Sequence, residues 1–117
     1  GVLPMFHLDA NWDALLDYFK ELEPKTYIMA LDGKTDARKC RAELGPDVCI
    51  LGDVPPEMTA FGTPEQVADY VTRLLEDIGP RGVMVATGCD IPSNAKAENV
   101  KALSDAAHGF FATHPQK

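Results

Sequence analysis

Four aspartates, each placed just after an apolar run of the chain, are the first candidates for chemistry. They are Asp9, Asp32, Asp53 and Asp90. Carboxylates can bind polar ligands or transfer protons, but short acids at such positions also cap the loops and helices that follow. We expect capping to explain at least two of the four, so a functional site needs further side chains beside them.

His7 and Cys89 supply such side chains. His7 and Asp9 are two residues apart at the end of an apolar run, so the alternation of a strand puts them on one face. Cys89 lies beyond the run that precedes it, between Gly88 and Asp90, where packing explains a thiol less well. Imidazole, carboxylate and thiolate are all zinc ligands. We therefore predict a metal site formed by His7, Asp9 and Cys89, the alternative being structural roles for His7 and Cys89.

The other cysteines and histidines have simpler interpretations. Cys40 falls inside a predicted helix and Cys49 inside a predicted strand, so both are expected to be structural. His108 and His114 fall in the last helix and the tail and are expected at the surface. Three cysteines without a C-x-x-C pair fit a reducing compartment better than a disulfide scaffold, which predicts a cytoplasmic protein.

The composition limits the function classes that need to be considered. The 117 residues are 45% hydrophobic and 25% charged, as in globular domains. A formal net charge of -7 argues against nucleic acids and anionic membranes as partners. The sequence has no apolar run as long as a membrane span, and no glycine-rich phosphate loop, nucleophile elbow or Walker sequence. The first apolar run begins almost at once, so we expect the chain to be a fragment.

The apolar periodicity predicts four strands that alternate with four helices. The predicted strands span residues 3–9, 26–32, 47–54 and 83–86. The predicted helices span residues 11–23, 35–44, 63–78 and 94–110. Thr63 and Gln66 predict a capping box, Thr35 is expected to cap the second helix, and Pro55 is expected to begin a longer loop. The tail 112–117 is expected to fray.

Strands that alternate with helices predict an α/β fold, in which four consecutive βα units form a parallel sheet with right-handed crossovers. Folds of this kind bind their ligands at the carboxyl ends of the strands, which is where the candidate side chains fall. Two architectures satisfy the pattern. One is an open four-stranded sheet, and the other is half of an eight-stranded TIM (β/α)8 barrel.

Five segments of the chain resemble the carboxyl-terminal part of the uroporphyrinogen decarboxylase superfamily. They are His7-Leu8-Asp9, Leu51-Gly52-Asp53-Val54-Pro55, Gly62-Thr63-Pro64-Glu65-Gln66-Val67, Thr87-Gly88-Cys89-Asp90-Ile91-Pro92 and Glu98-Asn99-Val100. The resemblance covers nearly the whole chain and implies that residues 1–117 form the carboxyl-terminal half of a TIM barrel. The superfamily contains uroporphyrinogen decarboxylases, which act in porphyrin biosynthesis, and methyltransferases that take a methyl group from a corrinoid protein.

The turn at Cys89 bears on the choice between these two branches. In the decarboxylases the matching turn resembles Leu-Gly-His-Gly, whereas zinc methyltransferases have a cysteine there and an earlier His-x-Cys. His7 and Cys89 thus match the zinc ligands of the methyltransferases, while Asp9 puts a carboxylate where they have a thiolate. The loss of a soft ligand weakens the case for a thiol acceptor such as coenzyme M. The resemblance therefore implies methyl transfer from a partner corrinoid protein to tetrahydrofolate, in preference to a thiol.

The resemblance also assigns roles to the acids. Asp9 and Asp90 are the expected catalytic residues, and Asp32, Asp53 and Asp90 are the expected substrate-binding residues. The alternative enzyme is a uroporphyrinogen decarboxylase, in which acids at the barrel mouth hold the pyrrole and arginines from the missing amino-terminal part hold the rest. A non-catalytic alternative is a half-barrel that serves as a binding or assembly module and pairs with the missing half or with a second copy.

Overall fold

The computed structural model describes residues 1–115, and its centre is a sheet of four parallel strands. The strands are β1 (Met5–Leu8), β2 (Ile28–Leu31), β3 (Cys49–Leu51) and β4 (Val83–Met84). Their order in the sheet is their order in the chain. Each new strand is therefore added at the same edge, which is the winding of a TIM barrel and not of a doubly wound sheet. The predicted α/β class and the consecutive βα units are confirmed.

Five α-helices accompany the sheet. They are α1 (Leu16–Phe19), α2 (Ala37–Leu44), α3 (Pro56–Phe61), α4 (Pro64–Ile78) and α5 (Ala97–Thr113). The prediction for α4 is confirmed in detail, because Thr63 and Gln66 form the capping box and the expected apolar stripe is buried. Helix α5 packs against α4 and continues through Thr113, two residues into the tail that was expected to fray. Residues 116 and 117 of that tail lie outside the described residues.

The helix predicted over residues 11–23 is wrong. Only a 3-10 helix (Asp13–Leu15) and the single turn of α1 form there. The side chain of Asn11 accepts a hydrogen bond from the Asp13 amide at 2.8 Å, and the Trp12 amide donates to Thr35 Oγ1 at 2.9 Å. These contacts hold the chain in a turn where the first helical residues would be. Tertiary hydrogen bonds therefore override the apolar periodicity.

Two smaller expectations also need correction. Asp36, and not Thr35, caps α2, because its carboxylate accepts the Arg38 amide at 2.9 Å. Thr35 is fully buried and instead donates to the Ala10 carbonyl at 3.1 Å. The expected loop after Pro55 is helix α3, which has a proline at its first position and an acid in its first turn.

The two faces of the sheet have different surroundings. On the outer face Leu8, Leu31, Ile50 and other apolar side chains are buried in the core beneath the helices. Side chains on the inner face form cross-strand layers, one of which is His7, Ala30, Leu51 and Met84. Met84 is 48% exposed, so the inner face, which is the interior of a closed barrel, is open to solvent here.

Arg41 joins four elements at the amino end of the sheet. Its guanidinium donates to five carbonyl groups, which belong to Gly45, Val48, Ile78, Arg81 and Gly82. These carbonyls lie at the ends of α2 and α4 and just before β3 and β4. Five donors are all that a guanidinium has, and burial lowers the pKa of this one. Arg41 therefore fixes the amino ends of two strands relative to two helices.

We predict that Arg41→Ala lowers the free energy of unfolding by ~3 kcal/mol, because it leaves several carbonyls without donors in a half-buried place. Arg73→Ala is the matched control, since Arg73 is exposed and its one ion-pair partner within residues 1–115 is Asp69. The control should change stability by no more than about 0.5 kcal/mol. Urea unfolding followed by circular dichroism measures both variants, and equal losses would contradict the role assigned to Arg41.

Candidate functional site

Two neighbouring cavities open at the carboxyl ends of the strands. The first, of about 430 Å³, is called here the acidic cavity and is lined by Asp9, Asp32, Lys34, Glu57 and Cys89, together with Gly33, Pro55 and Pro56. The second, of about 320 Å³, is called the His7 cavity and is lined by His7, Ala30, Leu31, Leu51, Thr87, Gly88, Cys89 and Asp90. Cys89 belongs to both walls. The structure thus places five of the six predicted site residues, all except Asp53, in the walls of these two cavities.

His7 and Asp9 form a direct pair at this end. His7 Nε2 lies 3.0 Å from Asp9 Oδ1, and both side chains are largely exposed, at 53% and 80%. The strand alternation that predicted one shared face is what brings them together, because β1 ends at Leu8 and Asp9 follows at once. A carboxylate on one ring nitrogen orients the imidazole and leaves the other nitrogen for a proton transfer.

Asp32 shapes the loops of the acidic cavity. Its Oδ2 accepts the Ala10 amide at 3.0 Å and its Oδ1 accepts the Lys34 amide at 2.9 Å. Gly33, between the two, has a φ of 97°, which favours glycine. The expected capping role is confirmed for Asp32, which ties the loop after β1 to the turn after β2 while it lines the cavity.

The substrate-binding role predicted for Asp53 needs correction. Asp53 is 4% exposed, lines neither cavity, and accepts a hydrogen bond from the Tyr70 hydroxyl at 2.8 Å. Gly52 has a φ of 129°, and a Cβ there would lie 2.5 Å from the Leu31 carbonyl oxygen. The chain leaves the extended conformation at Gly52, so the alternation ends and Asp53 packs against helix α4. Burial raises the pKa of Asp53, although Tyr70 and Arg38 lower it.

The metal site predicted from His7, Asp9 and Cys89 also needs correction. Within residues 1–115, no group of three or more histidine, cysteine or acidic side chains is arranged to hold a metal ion. His7 lies in β1 and Asp9 directly follows that strand, whereas Cys89 comes from the loop after β4. The loop after β4 returns to the end of β2, where Gly88 packs against the backbone of Asp32. Cys89 shares a cavity wall with His7 and another with Asp9, but the three side chains do not converge on one point. The side chains present therefore do not fit a zinc ion, and we derive no chemistry through one.

Cys40, Cys49 and His108 lie outside the two cavities. Cys40 is fully buried, and burial raises the pKa of its thiol to about 11, so it is confirmed as a structural residue. Burial also raises the pKa of Cys49. His108 contacts Ser104 on the exposed side of α5.

Sequence reasoning missed Lys34 and Glu57, which line the acidic cavity. Glu57 is in the first turn of α3, and the run of two prolines before it was a signal for a helix start. Helix α3 is held from below by the buried Asn99, whose Nδ2 donates to the carbonyls of Thr59 at 3.0 Å and Gly62 at 2.9 Å. A single buried amide therefore positions the helix that brings Glu57 to the cavity.

The fold and the position of the cavities define a class. Parallel βα units in sequential order, with polar cavities at the carboxyl ends of the strands, are the hallmark of TIM-barrel proteins. A family model described as uroporphyrinogen decarboxylase (URO-D) matches residues 1–110. The chain belongs to this family, and its fold is part of a TIM barrel.

Three curated relatives illustrate the similarity. The uroporphyrinogen decarboxylase of Danio rerio is 30% identical over 90 residues, which cover 76% of this chain and 24% of that protein. The uroporphyrinogen decarboxylase of Gloeobacter violaceus is 28% identical over 74 residues, covering 63% of this chain and 21% of that protein. That of Neisseria meningitidis is 32% identical over 81 residues, covering 68% and 23%. The chain spans about a quarter of the length of these relatives. Across residues 1–115, no helix has the length and apolarity needed to cross a membrane.

We predict that the free energy of unfolding of the wild-type protein falls as the pH rises because Asp53 ionises, and that the Asp53→Asn variant lacks this decrease. A pKa raised in the folded state means that folding favours the protonated acid. Its contribution is therefore complete below the unfolded-state pKa of about 3.9 and is lost as the pH rises through the higher folded-state value. Asparagine keeps the acceptor for Tyr70 and does not ionise.

Urea unfolding at a series of pH values from about 4 to 7 measures this effect, since the window begins at the unfolded-state pKa. Asp105→Asn is the control, because Asp105 is exposed on α5 and pairs with Lys101. A wild-type protein whose stability parallels that of Asp53→Asn across the window would contradict the prediction.

Proposed function

We propose that the intact protein decarboxylates a carboxylated pyrrole compound of the uroporphyrinogen type, and that this chain contributes part of the barrel mouth. Membership of the family, through a match over residues 1–110, is the observation that carries the proposal. The names of the curated relatives, all uroporphyrinogen decarboxylases, support this branch over methyl transfer. The chemistry of the two cavities supports it further.

Decarboxylation requires a proton at the carbon that loses carbon dioxide. The carboxylate leaves as CO2, its bonding electron pair stays on the carbon, and that carbon takes up one proton, so that R–COO⁻ and H⁺ become R–H and CO2. Among the described residues, the exposed His7 with Asp9 at 3.0 Å is the pair suited to carry this proton. Asp9 orients the ring and stabilises it when it is charged.

The acids of the two cavities suit the nitrogen side of such a substrate. Asp9, Asp32, Asp90 and Glu57 line the walls, and their carboxylates are acceptors for pyrrole N–H groups. The same acids repel the carboxylates of the substrate. The cations that hold most of those carboxylates must therefore come from the rest of the barrel, as the resemblance to the decarboxylases implies.

We predict that the intact protein converts uroporphyrinogen into coproporphyrinogen under anoxic conditions, measured by chromatography after oxidation to the porphyrins. His7→Gln should lower kcat by about 100-fold, the lower end of what general acid–base catalysis contributes. His108→Gln is the control, because that side chain is exposed on α5, lines neither cavity and hydrogen-bonds with Ser104. A protein that yields no coproporphyrinogen would refute the proposed reaction.

Methyl transfer is the second candidate, and Cys89 is the observation that favours it. Its thiol is exposed and lines both cavities, at the turn where the resemblance implies a histidine in decarboxylases. In this reaction a corrinoid on a partner protein supplies the methyl group to an acceptor, tetrahydrofolate in preference to a thiol such as coenzyme M. The carboxylates of Asp9 and Asp90 could accept hydrogen bonds from the pterin. No step is assigned to zinc, because the side chains do not assemble a site for it.

Spectroscopy separates the two candidates. If the decarboxylase proposal is right, the intact protein mixed with methylcobalamin and tetrahydrofolate without oxygen gives no cob(I)alamin absorbance. The control is the same mixture without protein. Cob(I)alamin that forms only with the protein, together with unchanged uroporphyrinogen in the first assay, would select methyl transfer.

A further inference from the structure

We infer that Lys34 binds a carboxylate of the substrate and so orients the substrate in the acidic cavity. The inference rests on the proposed function for the identity of the substrate, a pyrrole that bears carboxylates. It rests on the structure for the choice of residue. Lys34 belongs neither to the residues singled out from the sequence nor to the pair that carries the proton.

Lys34 is one of three among the six described lysines that form no ion pair. Lys20, Lys25 and Lys101 each lie within ion-pair distance of an aspartate or glutamate. The ammonium of Lys34 has no such partner within residues 1–115, although three acids line the same cavity. An ammonium has three donors and no acceptor, so the donors of this lysine, which belongs to the cavity wall, remain available to a ligand carboxylate.

Lys34 also differs in charge from the other residues of the cavity walls. Of the described residues that line the acidic and His7 cavities, it is the only lysine or arginine. Asp9, Asp32 and Glu57 surround it in the acidic cavity, which makes the rest of that wall repulsive to anions. A carboxylate that enters this part of the mouth therefore has one favourable position, beside the Lys34 ammonium.

The backbone that carries Lys34 is held in place. Asp32 Oδ1 accepts the Lys34 amide at 2.9 Å, and the same carboxylate accepts the Ala10 amide from the neighbouring loop. Gly33 takes up the positive φ that the turn requires. The Cα of Lys34 is thus fixed at the cavity wall by two loops, and only the side chain needs to be ordered when a ligand binds.

Together these features give the acidic cavity two kinds of binding group. The acids accept N–H donors, and Lys34 attracts a carboxylate, so a pyrrole that carries both groups binds in one orientation. That orientation decides which of its carboxylates lies towards the neighbouring His7 cavity, where the proton is supplied. Lys34 is therefore proposed as a residue that determines substrate position, without a part in the chemical step.

The test compares Lys34→Met with Lys39→Met in the intact protein. Lys39 is an exposed lysine on α2 that lines neither cavity, and so it matches Lys34 in type and exposure. The first readout is the binding of uroporphyrin, the stable oxidised form of the substrate, followed by its fluorescence. We expect Lys34→Met to weaken binding about tenfold, roughly the contribution of one charge-assisted hydrogen bond, and Lys39→Met to change it less than about twofold.

Two further readouts separate recognition from a general effect on the fold. Lys34→Arg should restore binding to within about threefold, and the salt dependence of binding should be weaker in Lys34→Met than in the wild type. In the decarboxylation assay Lys34→Met should raise KM about tenfold because a binding contact is lost, and it should also lower kcat because substrate bound without that contact takes unproductive orientations.

The outcomes distinguish this inference from the proposed function. Uroporphyrin binding that depends on Lys34, in a protein that does not decarboxylate uroporphyrinogen, supports the carboxylate site and refutes the reaction. Decarboxylation with an unchanged KM in Lys34→Met supports the reaction and overturns the inference. Wild-type protein that does not bind uroporphyrin, or Lys34→Met and Lys39→Met variants with equal affinities, would also overturn it.

Discussion

The guanidinium of Arg41 is the contact on which the arrangement of the strands depends most directly. Its five donors satisfy carbonyls at the ends of two helices and before two strands, all at the amino end of the sheet. Leaving one such carbonyl without a donor would cost a substantial part of the free energy of unfolding of a small domain. Because one rigid, planar guanidinium binds all of these carbonyls, it fixes the positions of the two strands relative to each other at this end of the sheet.

At the carboxyl end the same strands lead into loops joined by individual side-chain contacts. Asp32 connects the loop after β1 with the turn after β2. Asn99 fastens α3, which supplies Glu57, from the opposite side. The functional groups are therefore placed by polar contacts on a frame that is fixed elsewhere, which is the division between stability and chemistry found throughout βα barrels. Substitutions at the two ends should differ accordingly in what they affect.

What could be predicted from the sequence was whatever depends on local pattern. The capping box and apolar stripe of α4 are signals within one element, and the shared face of His7 and Asp9 follows from strand alternation alone. The helix over residues 11–23 failed because Thr35, distant in sequence, takes the Trp12 amide. The pattern also predicted the α/β class but left a barrel and an open sheet both possible; the family resemblance favoured the barrel, and the order of the strands in the structure agrees with it.

The candidate site was predictable in its location and less so in its geometry. All parallel strands end on one side, which is why Asp9, Asp32, Cys89 and Asp90 fall at the mouth. Asp53 lies at the same end, but its side chain packs against α4 and lines neither cavity, because the backbone departs from the strand conformation at Gly52 and no periodicity reveals such a departure. Whether His7, Asp9 and Cys89 converge on a metal depends on the path of the loop after β4, which neither motif reveals.

The layer of inner-face side chains that contains His7 has one more consequence. His7 is paired across the strands with Ala30, and Ala30 with Leu51, so the residues that fill the barrel are also the floor of the His7 cavity. Ala30 is the smallest of them, and the depth available beside the imidazole is set by its single methyl group. The same layer of side chains therefore packs the inner face of the sheet and lines the cavity. A larger side chain at position 30 would therefore alter the packing of the inner layer and the depth of the His7 cavity at the same time.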